Sequence, residues 1–213
     1  MNGVKAALRR FVVDPLFWTI LAFFLVAIFA DSVASYVTMQ QQLPVLSDAL
    51  LDHLPFLPVF WVYDIVSVIL IFLLVQRLYR DGLEDVPYVL LLLGMLQFFR
   101  AVCIYINPIA PPANSPYGLL ELFSATPDAH QGSIPSGHVM WGAFIALYLR
   151  GKERWLATGL VVLLVLSMLF SRAHYFIDLV VGALAGYTIY VFGDRVLRPR
   201  LAKRGLARRQ KRF

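Results

Sequence analysis

Ser171-Arg172-Ala173-His174-Tyr175-Phe176-Ile177-Asp178 sets four chemically active side chains between two apolar runs, residues 156–170 and 177–192. A membrane span uses about 20 residues. Two runs of this kind, separated by a few polar positions, read as membrane helices meeting at one face of a bilayer. Ionisable groups beside such runs are costly and mark a functional site by default. His174 and Asp178 are four apart, a spacing that predicts a shared helix face. A carboxylate there holds the tautomer of the imidazole and stabilises its charged form. Arg172 adds a permanent cation whose planar fork suits a phosphate.

Composition extends this reading to the whole chain. Of 213 residues, 60% are hydrophobic and 15% charged, with a mean hydropathy of +0.71. Soluble domains carry roughly 25% charge, so the expectation is an all-α integral membrane protein. Six spans are predicted, at about 15–39, 59–78, 86–106, 135–150, 155–170 and 174–192, forming one bundle and one membrane domain over 1–213. The first apolar run, 15–30, exceeds the core of about 7–15 residues found in a cleaved signal peptide, so the first span is expected to be retained. The single Cys103 lies in an apolar run and provides no disulfide framework. Residues 107–134 form the longest loop, rich in Pro, Ser, Gly and Ala.

Charge distribution gives the topology. Of the 19 Lys and Arg, all but Arg100 and Arg172 fall in the N-terminal lead, the second and fourth connectors and the basic tail at 194–213. By the positive-inside rule both termini are then cytoplasmic. The net charge of +6 is thereby a topology signal that can also touch anionic lipid, and nucleic acid is not expected as a partner. The two exceptional arginines lie in the outer half of the bundle. His138, His174 and Asp178 belong to the same side, and Asp31 and Asp64 fall in the outer halves of their spans. Scattered structural charges would not gather at one depth.

Pro135-Ser136-Gly137-His138 opens the fourth span. Proline suits a first helical turn, the free N–H groups there favour an anion, and Gly137 allows close approach to the backbone. With the Ser136 hydroxyl, Arg100 and Arg172 this describes a phosphate pocket. Two histidines and one carboxylate permit a two-step phosphoryl transfer. His174, oriented by Asp178, attacks phosphorus, and His138 protonates the leaving oxygen and then activates the acceptor. A metal held by His138, His174, Asp178 and Asp64 is disfavoured by the neighbouring arginines, and no cofactor is expected. Asp31 and Asp64 are candidate accessory groups that pair with a cation or line the pocket. Gly182 and Gly186 form a Gly-x-x-x-Gly pattern that favours close helix packing within the bundle.

These residues resemble the type 2 phosphatidic acid phosphatase superfamily. Pro135-Ser136-Gly137-His138 is similar to its second motif, and Ser171-Arg172 with His174 and Asp178 is similar to its third. Arg100 with Asn107-Pro108 occupies the frame of the first, with Arg for the usual Lys and Asn107 for the usual Arg. The resemblance implies His174 as nucleophile, Asp178 as its orienter, His138 as general acid, and Ser136, Gly137, Arg172 and Arg100 as phosphate ligands. The third motif is compact, with only Ala173 between Arg172 and His174, about one helical turn shorter than usual. His174-Tyr175-x-x-Asp178 also resembles the sphingomyelin-synthase branch, which moves a phospho-headgroup to a lipid alcohol. The implied activity is a lipid phosphatase or phosphotransferase acting on a phospholipid or isoprenoid phosphate, at the periplasmic or extracellular face of a bacterial inner (plasma) membrane. The acceptor is water or a lipid alcohol such as ceramide or diacylglycerol. A lipid transporter, and an intramembrane serine protease using Ser136 and His174, are the competing readings. Tyr175 is expected as an interface aromatic.

Overall fold

The computed structural model describes residues 2–112, 115 and 134–208. Most of the long loop, including His130, and the last residues of the basic tail lie outside these. The described residues form nine α-helices in order: α1 Asn2–Val13, α2 Pro15–Met39, α3 Ala49–His53, α4 Phe60–Arg80, α5 Val86–Ile106, α6 Gly137–Tyr148, α7 Gly151–Phe170, α8 Phe176–Phe192 and α9 Arg198–Lys203. A π-helical segment, Gly193–Leu197, joins α8 to α9 without interruption. Five helical stretches are long and apolar enough to cross a membrane: α2, α4, α5, α7 and the run from α8 through α9. Large apolar side chains such as Phe29, Phe72 and Trp155 stand exposed on them. Apolar surface on five helices of membrane-spanning length suits a lipid environment, and the protein is an integral membrane protein.

Helix α6 covers the centre of the expected fourth span but has only 12 residues, about 18 Å of rise. It is the buried centre of the bundle, packed by α4, α5, α7 and α8. Val139, Met140 and Phe144 are completely covered. The glycines of α8 make this possible. A Cβ on Gly182 would stand 2.8 Å from the Ser136 carbonyl oxygen, and one on Gly186 would stand 2.6 Å from the Met140 carbonyl oxygen. Both distances are shorter than any real Cβ contact, so the two backbones touch because these positions lack side chains, as the Gly-x-x-x-Gly pattern predicts. Helix α2 lies along α5, and Gly94 of α5 lets the Phe23 and Phe24 turn approach within contact distance.

The end of the bundle carrying both chain segments near the termini is locked by buried charge. Arg198 donates to Asp85 at 2.9 Å and to Asp194 at 2.8 Å and lies 4.0 Å from the centre of the Tyr88 ring. Tyr148 donates to the same Asp85 carboxylate at 3.0 Å, and the Arg208 N–H does so at 2.6 Å. Arg10 of α1 donates to the Gly205 carbonyl at 3.0 Å, bringing the N- and C-terminal segments together. The described part of the basic tail is thus a folded continuation of the last span, with Leu206 and Ala207 buried.

Gly186→Ala should lower the melting temperature of the detergent-solubilised protein, through overpacking worth about 1–3 kcal/mol. Gly159→Ala, on α7 where an added Cβ meets nothing within 4 Å, should leave it unchanged or slightly raised. Equal melting temperatures for the two variants would refute the backbone-contact account.

Candidate active site

Helix α7 does not continue through the polar junction. Arg172 has φ +56°, in the left-handed region. The Ala173 N–H donates to the Met168 carbonyl at 3.0 Å and the Arg172 N–H to the Leu169 carbonyl at 3.1 Å. This pair of bonds is a Schellman ending with an arginine where glycine is usual, at a backbone cost of about 1–2 kcal/mol. Helix α8 then begins at Phe176, so His174 precedes it and the expected shared helix face does not exist. The pairing itself survives by another route. Asp178 is in the first turn of α8 and reaches back, where its Oδ2 accepts from the Tyr175 N–H at 3.1 Å and from His174 Nδ1 at 3.2 Å. A carboxylate in that position caps the helix and fixes the imidazole together. Asp178 is completely buried and the His174 side chain nearly so, at 12%. With Nδ1–H held by the carboxylate, the free ring atom of His174 is Nε2.

The second motif is joined to this pair through the backbone. The Ser136 N–H donates to the Asp178 carbonyl at 3.1 Å, and the Met140 N–H closes the first turn of α6 on the Ser136 carbonyl at 3.0 Å. Ser136 is fully buried, with its hydroxyl on Met168 Sδ at 3.8 Å. His138, the next residue but one, lies within electrostatic range of His174 and Arg100. Its Nε2 is 4.0 Å from Asp64 Oδ1 on α4, and its ring meets Tyr63 edge-on at 5.6 Å between centroids. It keeps 30% of its side chain accessible. Both histidines therefore face a buried carboxylate.

Arg100 comes from α5 and lies across the first turn of α6. A Cβ on Gly137 would stand 3.2 Å from its Nε, so glycine is what admits the guanidinium there. Arg100 pairs with Asp31 of α2, and Gln97 donates to the same Asp31 oxygen at 2.6 Å. The Trp141 indole N–H in turn donates to Gln97 Oε1 at 3.2 Å. Asn107 ends α5, its N–H bonded to the Cys103 carbonyl at 2.9 Å.

The remaining sequence candidates serve the α2–α4 connection, which crosses the junction as a strap. Arg172 Nη2 donates to the Leu51 and Leu54 carbonyls at 3.4 and 3.5 Å, at the end of α3. The Tyr175 hydroxyl accepts from the Leu46 N–H at 3.1 Å. The Leu57 N–H donates to the Phe170 carbonyl at 2.9 Å. Asp48 holds both sides: its Oδ1 caps α3 through the Leu50 and Leu51 N–H groups, and its Oδ2 accepts from the Phe176 N–H at 2.7 Å, at the start of α8. Asp48, Gln97 and Trp141 are site-supporting residues that sequence reasoning passed over. Asp48 carried a signal, the Asp-x-x-x-Asp start of a short helix beside prolines. Gln97, three residues before Arg100, carried only its position on the Arg100 face.

The arrangement gathers His174, Asp178, Ser136, Gly137, His138, Arg100, Asp31 and Asp64 around the start of α6. It offers two carboxylate-backed imidazoles, a helix N-terminus and a guanidinium, a set able to bind a phosphoryl group and move protons beside it. The class is that of a membrane-embedded phosphoryl-handling enzyme. A family model described as the PAP2 superfamily matches residues 41–192, the strap through the end of α8. The chain belongs to that superfamily, the type 2 phosphatidic acid phosphatases. A search of curated proteins gave no match.

Asp48→Ala removes a cap from two helices, each worth about 1 kcal/mol. Hydrogen exchange should accelerate in residues 43–58 and 172–176 together, while Asp48→Asn, which keeps only one of the two acceptor oxygens, should fall between wild type and Asp48→Ala. Acceleration confined to 43–58 would refute the tie to α8.

Proposed function

We propose that the protein is a lipid phosphatase or phosphotransferase working through a phosphohistidine at the outer face of a six-span membrane domain, with both termini cytoplasmic. The observation that carries this reading is His174 paired with the buried Asp178 beside His138 and Arg100 at the open end of α6. In the first step the His174 Nε2 lone pair attacks phosphorus, the bond from phosphorus to the leaving oxygen breaks, and His138 delivers its proton to that oxygen. In the second step His138 takes the proton of a water or lipid hydroxyl, whose oxygen attacks phosphorus and breaks the P–N bond. Asp178 stabilises charge on His174 throughout, and Asp64 does the same for His138. Arg100, Gly137, Ser136 and the α6 N–H groups bind the phosphate, Asn107 borders the pocket, and Arg172 and Tyr175, proposed from the motifs as site residues, act by holding the strap on either side of His174. No metal or other cofactor takes part.

The substrate class is a phosphorylated membrane lipid, a phospholipid or isoprenoid phosphate. The compact third motif favours, as a second reading, sphingomyelin-synthase-like transfer of the phospho-headgroup to ceramide or diacylglycerol. Neither competing reading accounts for as much. A serine protease needs Ser136 activated by a base, whereas its hydroxyl rests on a methionine sulfur. A transporter leaves the carboxylate-backed histidines without a task. The basic residues at the Arg10–Gly205 end support a cytoplasmic placement of the termini, in a bacterial inner membrane, with the site on the periplasmic side.

Purified protein incubated with ³²P-labelled phospholipid and quenched in alkali should carry an acid-labile phosphohistidine. His174→Gln should lose the label and about 10⁴-fold or more in kcat. His138→Gln should lose about 10²–10⁴-fold. Inorganic phosphate as product identifies a phosphatase; a new phospholipid formed only with added ceramide or diacylglycerol identifies a transferase. Full turnover by His174→Gln would overturn the mechanism.

A further inference from the structure

We infer that Gln97 is a positioning residue that sets the guanidinium of Arg100 over the open turn of α6; this rests on the reading of Arg100 as an anion-binding residue given above. The orientation of the Gln97 amide is dictated by its neighbours. An indole N–H is a donor only, so the atom facing Trp141 at 3.2 Å is Oε1. The NH₂ group therefore points the other way, onto Asp31 Oδ2 at 2.6 Å. That same oxygen accepts from Arg100 Nη1.

The register places this relay one turn beneath the anion end on two helices at once. Gln97 precedes Arg100 by three residues on α5, and Trp141 follows Gly137 by four on α6, the spacings of neighbours on a helix face. Asp31, buried on α2, completes the third side. Each donor faces an acceptor, from Trp141 to Gln97 to Asp31, and Arg100 donates to the same Asp31 oxygen as Gln97. Sharing Oδ2 between an amide and a guanidinium limits how far Asp31 can draw Arg100 toward α2. The guanidinium stays where Gly137 leaves room for it, with Nε 3.2 Å from the vacant Cβ position. Without the Gln97 amide, Asp31 becomes a stronger competitor for Arg100, and an incoming phosphate must displace it.

The test is binding of inorganic phosphate to the full-length protein in nanodiscs, by titration calorimetry, alongside its inhibition of lipid turnover. Gln97→Ala, and Gln97→Glu, which keeps the shape but faces Asp31 with a carboxyl, should each weaken phosphate binding about tenfold, the effect of one lost hydrogen bond to a charged group. The lipid KM should rise with them while kcat changes little, a split that general destabilisation does not produce. Trp141→Phe, which removes only the N–H, should act in the same direction but more weakly, and should add nothing to Gln97→Ala. If Gln97→Ala fails to fold, Trp141→Phe and Gln97→Glu decide. Folded Gln97 variants with phosphate affinity within about twofold of wild type overturn the proposal, as does a wild type that binds no phosphate. A wild type that binds phosphate but turns over no phosphorylated lipid overturns the catalytic reading alone, and the Gln97 proposal then stands or falls on the binding ratios.

Discussion

Asp178 is the residue on which the site depends. It is a carboxylate with no exposed surface in an apolar bundle, an arrangement that costs several kcal/mol unless hydrogen bonds compensate. The compensation determines the local structure. Its side chain accepts from the Tyr175 N–H and from His174, so the start of α8 and the orientation of the imidazole are one event. Its main-chain carbonyl accepts from the Ser136 N–H, so the start of α6 is set by the same residue. Two segments about forty positions apart in sequence are thereby referred to one buried point. The glycines of α8 extend that register, because Gly182 lies against Ser136 itself.

Carboxylate-paired arginine follows a common rule at the two ends of the bundle. At one end Arg198 is shared between Asp85 and Asp194 and covered by Tyr88. At the other, Arg100 is paired with Asp31 beside Gln97. The difference lies in what surrounds them. Arg198 is enclosed and held by two carboxylates, so it locks the last span to α5. Arg100 lies over the first turn of a helix whose N–H groups face outward, with His138 partly accessible beside it. The same pairing chemistry yields a fastener in one place and a cation beside a helix N-terminus in the other.

The membrane character, the helical class, the meeting of the two motifs and the tight α6–α8 packing were legible in the sequence. They rest on strong, local signals: apolar runs, Pro-Ser-Gly-His, a His–Asp spacing of four and glycines spaced by four. The helix through His174 was misread because the residue that breaks it is an arginine. Position C′ of a Schellman ending is read from glycine or asparagine, and Arg172 carries no such mark. The ties of the strap were not legible, since those from Asp48, Arg172 and Tyr175 join partners more than 100 positions apart. Helix α9 looked like basic tail because a buried Arg198 cannot be told from an exposed one by type alone.

The short Arg172–His174 spacing acquires a physical meaning from that ending. An arginine in the left-handed conformation sends its side chain away from the course of the helix it terminates, and here the guanidinium meets the carbonyls at the end of α3. Those carbonyls carry the negative end of a helix and favour a cation. Two residues on, His174 turns back toward Asp178. A separation of one residue thus divides the junction, with the cation holding the strap and the imidazole facing α6. The strap is anchored on both flanks of His174, by Arg172 before it and by Tyr175 and the Phe176 N–H after it. Rigidity of the His174 backbone therefore derives from a loop more than a hundred residues earlier in the chain, and the guanidinium beside the start of α6 is that of Arg100.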